Sequence, residues 1–295
     1  MKIGFIGAGN MGGAIIRGYT AGKAGMAAGQ DDLFVFDSDT EKAMAFAGAG
    51  APVVTADSLA QLAGLCDALV LCVKPNVMDE ILDELAGLGV GAGAGETGGT
   101  GGTGETVGTD QNSGRLIISI AAGISINDIR EKLGQRTRVV RVMPNTPAMV
   151  GEGMSVMSAA DGTPDTDLRA AEKLFGAIGR AVWAPERLMD IVTGISGSSP
   201  AYAYLYIEGL IRAGVEGGLS EETATIMAAQ STLGAAKMVL ENIGITDPRQ
   251  LCANVCSPGG ATIEAVKVLE AEGFIETVSK AAQASAAKSR LMSQH

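Results

Sequence analysis

The sequence has a single histidine, and it is the last residue, His295. No internal imidazole is present to act as a general base, which removes Ser-His-Asp and Cys-His catalysis from consideration. The four cysteines, Cys66, Cys72, Cys252 and Cys256, form no C-x-x-C pair. Without histidine partners they make no zinc framework, so no metal is expected. They read as small core residues in a reducing compartment. Basic residues are also scarce: 22 Lys and Arg face 33 Asp and Glu, a net charge of −11. That balance argues against nucleic acid or an anionic membrane as the partner, although a local site can still suit a small anion. No apolar run is long enough to span a bilayer. The first residues enter an apolar strand at once, with neither a charged n-region nor a cleavage pattern. The cytoplasm is the expected location.

What is present is apolar side chain and glycine. Apolar residues make up 46% of the 295 positions, and there are 42 glycines. The length suits one large or two ordinary domains with a sizeable core. The short apolar run Lys2 to Ile6 is followed by Gly7-Ala8-Gly9-Asn10-Met11-Gly12-Gly13, and then by a helical pattern. G-x-G-x-x-G between a strand and a helix is the dinucleotide fingerprint. Gly7 makes the tight turn, Gly9 admits the pyrophosphate, and Gly12 or Gly13 lets the helix pack on the strand. The second strand, Leu33 to Phe36, ends at Asp37, an acidic residue placed to accept ribose hydroxyls and to repel a 2′-phosphate. Asp37 or Ser38 could equally cap the helix that starts near Thr40, and the Ser38 and Thr40 hydroxyls can bind phosphate.

A short strand at Pro52 to Val54 and a near-continuously apolar one at Asp67 to Val73 come next, the latter buried on both faces as in a parallel sheet. It ends in Lys74-Pro75-Asn76, where ligands sit in open α/β sheets; Lys74 reads as a cofactor contact or as a solvated lysine at a helix start. A helix covers about Val77 to Leu88. Gly89 to Gly114 is mostly Gly and Thr and reads as a flexible surface insert. It has no Lys or Arg, so it makes a poor phosphate cradle. Strands resume at Arg115 to Ile120 and Arg138 to Val142. The first ends in Ala121-Ala122-Gly123, small enough to leave room for a flat ring. The second ends in a stiff Met143-Pro144-Asn145-Thr146-Pro147 loop. Six strands alternating with helices predict a doubly wound parallel sheet. A further strand is expected near Met154 to Met157, then a helix at Pro164 to Ile178 and a strand at Ala181 to Trp183.

From about Glu186 helical periods dominate. Several of these helices are apolar all round, notably at Ile226 to Ala229 and Leu233 to Ala236. Such helices are expected to be buried on several faces. A half-chain this short has little interior for them, which predicts an obligate interface, most simply a two-fold dimer. Residues 1–160 are therefore expected to form a Rossmann-like α/β domain, followed by an all-α dimerisation region within a mainly helical substrate-binding and dimerisation domain at residues 161–295. Within the latter, Ser257-Pro258-Gly259-Gly260-Ala261-Thr262 opens a helix. Its first-turn amides and dipole suit a carboxylate; an ordinary helix cap explains the same residues.

Gly-Ala-Gly-Asn-Met-Gly at Gly7 to Gly12, Val-Lys-Pro at Val73 to Pro75 and Ser-Ile-Ala-Ala-Gly-Ile at Ser119 to Ile124 form a recognisable series. It continues with Met-Pro-Asn-Thr-Pro at Met143 to Pro147, Ser-Gly-Ser-Ser-Pro-Ala-Tyr at Ser196 to Tyr202, and Val-Cys-Ser-Pro-Gly-Gly-Ala-Thr-Ile at Val255 to Ile263. In this order the motifs resemble pyrroline-5-carboxylate reductase, an enzyme of proline synthesis. The Gly/Thr insert departs from the short turn usual in that family. Asp37 is less typical of a family that mostly uses NADPH, so NADPH and NADH both stand as the cofactor.

The resemblance implies hydride transfer to the C=N carbon of 1-pyrroline-5-carboxylate, giving L-proline. It implies cofactor contacts from Gly7, Ala8, Gly9, Asn10, Met11, Gly12, Asp37, Ser38, Val73, Lys74, Pro75, Ala121 and Ala122, with nicotinamide near the last two. The substrate carboxylate would take backbone N–H groups of Gly259, Gly260 and Ala261 beside Ser257, with Thr262 against the ring nitrogen as the catalytic or orienting group. Asn254 and Glu186 would also line the substrate site; for Glu186 the alternative is a cap for the helix after Pro185. Lack of an internal histidine fits, because a protonated imine needs no strong general acid. The family also implies a homodimer or a ring of dimers. Two other readings remain: another imine or β-hydroxyacid reductase of this architecture, and a non-catalytic dinucleotide-binding regulator.

Overall fold

The computed structural model describes residues 1–22, 31–47, 53–91 and 115–293. Most of the Gly/Thr insert, from 92 to 114, and the single histidine lie outside them. Eight strands form one sheet: β1 (Lys2–Ile6), β2 (Asp32–Phe36), β3 (Val53–Thr55), β4 (Ala68–Leu71), β5 (Leu116–Ser119), β6 (Arg138–Met143), β7 (Gly153–Ala159) and β8 (Gly179–Trp183). Their order is β3-β2-β1-β4-β5-β6-β7-β8. The first six are parallel and reverse direction of growth at β1, the doubly wound order expected of a dinucleotide-binding sheet. β7 runs antiparallel to β6 and pairs in parallel with β8. The link over residues 144–152 is too short for the crossover a parallel neighbour needs, so the chain turns back on itself.

In chain order the helices among the described residues are α1 (Asn10–Ala21), α2 (Thr40–Met44), α3 (Leu59–Leu65), α4 (Met78–Gly87), α5 (Ile126–Leu133), α6 (Asp165–Gly176), α7 (Met189–Val192), α8 (Ser199–Glu216), α9 (Glu221–Glu241), α10 (Pro248–Val255), α11 (Ala261–Ala271) and α12 (Phe274–Met292). Of these, α1 and α6 pack on one face of the sheet and α3, α4 and α5 on the other. Alternating strand residues feed two cores, as the period of two requires. Phe5, Val35, Val70 and Ile118 pack with Ile15, Ile16 and Tyr19 of α1 and Leu174 and Phe175 of α6. Ile6, Leu69, Leu71 and Ile117 pack with Leu62 of α3, Leu82 of α4 and Ile129 of α5. Helix starts follow sequence signals. Ser58 accepts from the Gln61 N–H, and Ser125 and Asp128 form a reciprocal capping box at α5.

The chain divides into two compact units, residues 1–197 with 285–295, and residues 198–284. The boundary expected after residue 160 therefore falls inside the first unit. The physical reason is β8, which hydrogen-bonds to β7 and keeps α6 and the segment beyond it on the sheet. In the second unit α8 and α9 pack closely: a Cβ on Gly214 would stand 2.9 Å from that of Ala224. No residue of α8 is buried, and of α9 only Ala224 and Ala228 are. Leu205, Ile226 and Leu233 are among the large apolar side chains left exposed. The all-round burial expected for these helices is thus not achieved within one chain.

Candidate functional site

The first cluster of expected site residues lies at the carboxyl edge of the sheet. The in-register pairs Ile6 with Phe36, Ile6 with Leu71, and Leu71 with Ser119 bring four neighbouring strands to one line. The residues that leave those strands are the fingerprint loop, Asp37 with Ser38, Val73 to Pro75, and Ala121 with Ala122. Gly7 has φ +101°, donates its N–H to Phe36 O at 2.8 Å, and lies so close to β4 that a Cβ would reach Cys72 O at 2.9 Å. Only glycine satisfies both demands. A Cβ on Gly12 would stand 2.3 Å from Gly7 O, so Gly12 is the residue that lets α1 close on the loop. Gly9 is different: a Cβ there would meet nothing within 4 Å. It is the N-cap of α1 and has no side-chain cap, so the first helical amides face open space. An anionic pyrophosphate fits this cradle.

Asp37 is half-buried. One carboxylate oxygen accepts the Ala8 N–H at 2.7 Å and the other the Asp39 N–H at 2.9 Å. The N-cap of α2 is Asp39, without a side-chain bond, so Asp37 and Ser38 are not the cap. Ser38 and Lys74 are exposed, and Lys74 with Pro75 opens a one-turn helix. Ala121 is buried and Ala122 half-buried.

Glu186 has a use that neither sequence reading anticipated. Its Oε1 accepts the Ile126 N–H at the start of α5 at 2.7 Å and pairs with Arg141 at 3.1 Å. It thus tops up the amides of a helix 60 residues away and neutralises the charge of an arginine that is 8% exposed. Asn145, between the two prolines of its loop, does more than the stiff turn expected there. Its Oδ1 accepts the Met154 N–H at 2.8 Å and its Nδ2 donates to Ser196 O at 3.0 Å, while the residue is buried. A polar side chain between two prolines at a strand's end is the only sequence signal that could have suggested such a brace.

The remaining expected residues lie in the second unit. Gly260 N donates to Ser257 O at 3.0 Å, closing a turn with Pro258 second and Gly259 third, where φ is +73°. Proline followed by a left-handed glycine is the type II signature. Gly260 is the N-cap of α11 and no side chain caps that helix. The Gly259, Ala261 and Thr262 amides make no backbone hydrogen bond among the described residues, whereas the Gly260 amide is already used within the turn. Ser257, Gly259, Ala261 and Thr262 are exposed. Asn254 is exposed too and accepts from Gln250 at 2.9 Å. A separate apolar cavity in this unit is lined by Cys252, Leu269, Phe274 and Ile275 and contains none of these residues.

Residues 186–292 match the family model described as pyrroline-5-carboxylate reductase dimerisation, and residues 2–91 the one described as NADP oxidoreductase coenzyme F420-dependent. Among curated relatives, a pyrroline-5-carboxylate reductase of Arabidopsis thaliana is 37% identical over 99% of this chain and 96% of its own. One of Haemophilus influenzae is 38% identical over 98% and 97%. Among solved structures, a pyrroline-5-carboxylate reductase from Coxiella burnetii superposes with a TM-score of 0.83 at 32% identity, covering 99% of this chain and 98% of that one. A Plasmodium falciparum pyrroline carboxylate reductase with NADP bound has a TM-score of 0.78 at 31% identity, covering 99% and 98%.

Proposed function

The chain belongs to the pyrroline-5-carboxylate reductase family, and from that premise we propose that the Ser257–Thr262 turn is the seat of the imino-acid substrate. The activity is NAD(P)H-dependent reduction of 1-pyrroline-5-carboxylate to L-proline, the last step of proline synthesis. The observation that carries the seat is the turn itself. Gly259 in the left-handed region presents an uncapped helix start with exposed amides, which suits the substrate carboxylate. The donors assigned are the Gly259, Ala261 and Thr262 amides, since the Gly260 amide is held by Ser257. The Thr262 hydroxyl orients the ring nitrogen and can return a proton to it. Asn254 offers an amide to the same substrate. Glu186 contributes by holding α5 and Arg141 in place.

The fingerprint cradle of Gly7 to Gly12 and the α1 amides hold the pyrophosphate, Asp37 and Ser38 the adenosine ribose, and Val73 to Pro75 with Ala121 and Ala122 the nicotinamide side. When bound, the reduced nicotinamide supplies the hydride for the C=N carbon. The small side chains of Ala121 and Ala122 leave room for a planar ring, and the lack of an internal histidine costs nothing because the imine carries its own proton.

The exposed apolar faces of α8 and α9, within the segment matched by the dimerisation family, support assembly of copies into a two-fold dimer. No helix among the described residues is long and apolar enough to cross a membrane. The four cysteines are all free, which supports a reducing compartment such as the cytoplasm.

Steady-state oxidation of each cofactor with 1-pyrroline-5-carboxylate tests the reaction. Turnover with neither, from acid to neutral pH, refutes it. Thr262→Ala tests the seat. The side chain is exposed, so folding should survive, and kcat/KM should fall by tenfold or more, with Thr262→Ser recovering much of it. Unaltered kinetics in Thr262→Ala removes this residue from the site.

A further inference from the structure

The adenosine end of the cofactor site carries an observation that the family's activity does not settle. Asp37 ends β2, and its carboxylate is fixed at both oxygens, by Ala8 N at 2.7 Å and by Asp39 N at 2.9 Å. Ala8 is itself part of the buried fingerprint loop. Rotating Asp37 aside would strip an acceptor from that loop's amide, in the turn that shapes the pyrophosphate cradle. The carboxylate therefore stays where it is. Each oxygen still has lone-pair capacity, and an ionised carboxylate only accepts. A ribose with free hydroxyls brings donors to it. A 2′-phosphate brings acceptors and a further charge of about −1.5 to −2.

The stretch that follows β2 offers little to offset that charge. From Asp37 to Thr55 the acids are Asp37, Asp39 and Glu41, and the only base is Lys42. Lys42 is paired with Asp39 at 3.0 Å. Arg17, on α1, is stacked on the Phe46 ring at 5.6 Å. The Ser38 hydroxyl can donate a hydrogen bond to a phosphate, but it carries no charge to balance one.

We infer that Asp37 is the specificity residue of the cofactor site and that the enzyme discriminates against the 2′-phosphate, favouring NADH over NADPH. This rests on the reading of the fingerprint loop as a dinucleotide site, and it sets this chain apart from the Plasmodium relative, whose structure holds NADP.

Direct binding tests it without turnover. Calorimetric titration of the full chain with NADH and with NADPH should give a Kd at least tenfold lower for NADH. Raising the ionic strength should narrow the gap, because the repulsion is screened. Asp37→Asn keeps an acceptor for the Ala8 amide and removes the charge. It should bring the two Kd values to within about threefold, chiefly by tightening NADPH. Should that variant misfold, competition on the wild-type chain by adenosine 5′-monophosphate and adenosine 2′,5′-bisphosphate gives the same reading, with the monophosphate the stronger competitor. Equal or tighter binding of NADPH, or of the bisphosphate, by the wild type overturns the inference, as does an unchanged ratio in a folded Asp37→Asn. Failure to reduce 1-pyrroline-5-carboxylate would instead refute the reductase reading and leave the binding ratio to be judged by itself.

Discussion

Gly9 and Gly12 lie three residues apart in one fingerprint, and alanine should separate their roles. At Gly12 an added Cβ would sit 2.3 Å from Gly7 O and 3.1 Å from the Cys72 Cβ. Relief needs about 1 Å of movement to reach ordinary contact distances. Gly7 is held by its bond to Phe36 O at 2.8 Å, and α1 by Gly13 N to Gly9 O at 2.7 Å. Overpacking of this kind costs about 1–3 kcal/mol. Removing a helical glycine returns up to about 1 kcal/mol. Gly12→Ala should therefore lose about 1–2 kcal/mol in urea unfolding and bind cofactor weakly, because the loop is displaced. At Gly9 the added Cβ meets nothing, and φ of −67° suits alanine. The poorer N-cap and the stiffer unfolded chain roughly cancel, leaving stability within about 0.5 kcal/mol of wild type. The methyl group instead fills the space in front of the uncapped amides. Gly9→Ala should fold normally and raise the Kd for either cofactor at least tenfold, about 1.4 kcal/mol. Urea titration and calorimetry on the same preparations give both numbers. A Gly9→Ala protein that binds cofactor like wild type refutes the cradle, and a Gly12→Ala protein of undiminished stability refutes the steric argument for α1.

Two further substitutions probe the scaffold around the site. Glu186→Ala leaves the Arg141 guanidinium buried without its partner and deprives α5 of an acceptor; since Glu186 is 30% exposed, a loss of roughly 2–3 kcal/mol is expected by urea titration, and unchanged stability would show the pair to be inert. Glu186→Gln should recover part of the loss, because its amide oxygen can still accept from Ile126 N. At Asp31, burial pushes the carboxyl pKa up, but hydrogen bonds from Lys173, the Met1 amine and the Tyr19 hydroxyl outweigh it and hold the pKa at about 2, below the ordinary 3.8. A depressed pKa contributes stability that is full above about pH 4 and disappears as pH falls toward 2. The unscreened linkage value is about 2 kcal/mol, and partial exposure of Lys173 reduces it to roughly 1 kcal/mol. Asp31→Asn should lose about that much at pH 6 and only a small fraction of it at pH 2, where the folded carboxyl is half protonated; a loss that does not vary with pH contradicts the ion-pair account.

The parts of the fold that were legible in the sequence are those written in local patterns. Strands β1, β4 and β5 are short apolar runs whose alternate residues feed the two cores. Ser58 and Ser125 sit three residues before the amides they cap, a local spacing, although Asp57 beside Ser58 is an equal candidate until the bond to Gln61 N is seen. Strand direction is not local. Met154 to Met157 reads as a strand, but its reversal against β6 depends on how little chain joins the two. The same limit applies to Glu186, whose partners Ile126 and Arg141 lie 60 and 45 residues away. Read locally, it could only be a cap for its own helix or a substrate ligand. At the Ser257–Thr262 turn the motif singles out a segment and cannot apportion its amides; only the Gly260-to-Ser257 bond does that, by taking one donor out. The helical half shows a subtler limit. An all-round apolar pattern states that a surface must be covered, and is silent on which chain covers it. Leu205 and Ile226 are 69% and 62% exposed, so here the pattern describes an assembly. Burial inferred from periodicity is then a statement about the oligomer, and single-chain stability of α8 and α9 should be correspondingly low.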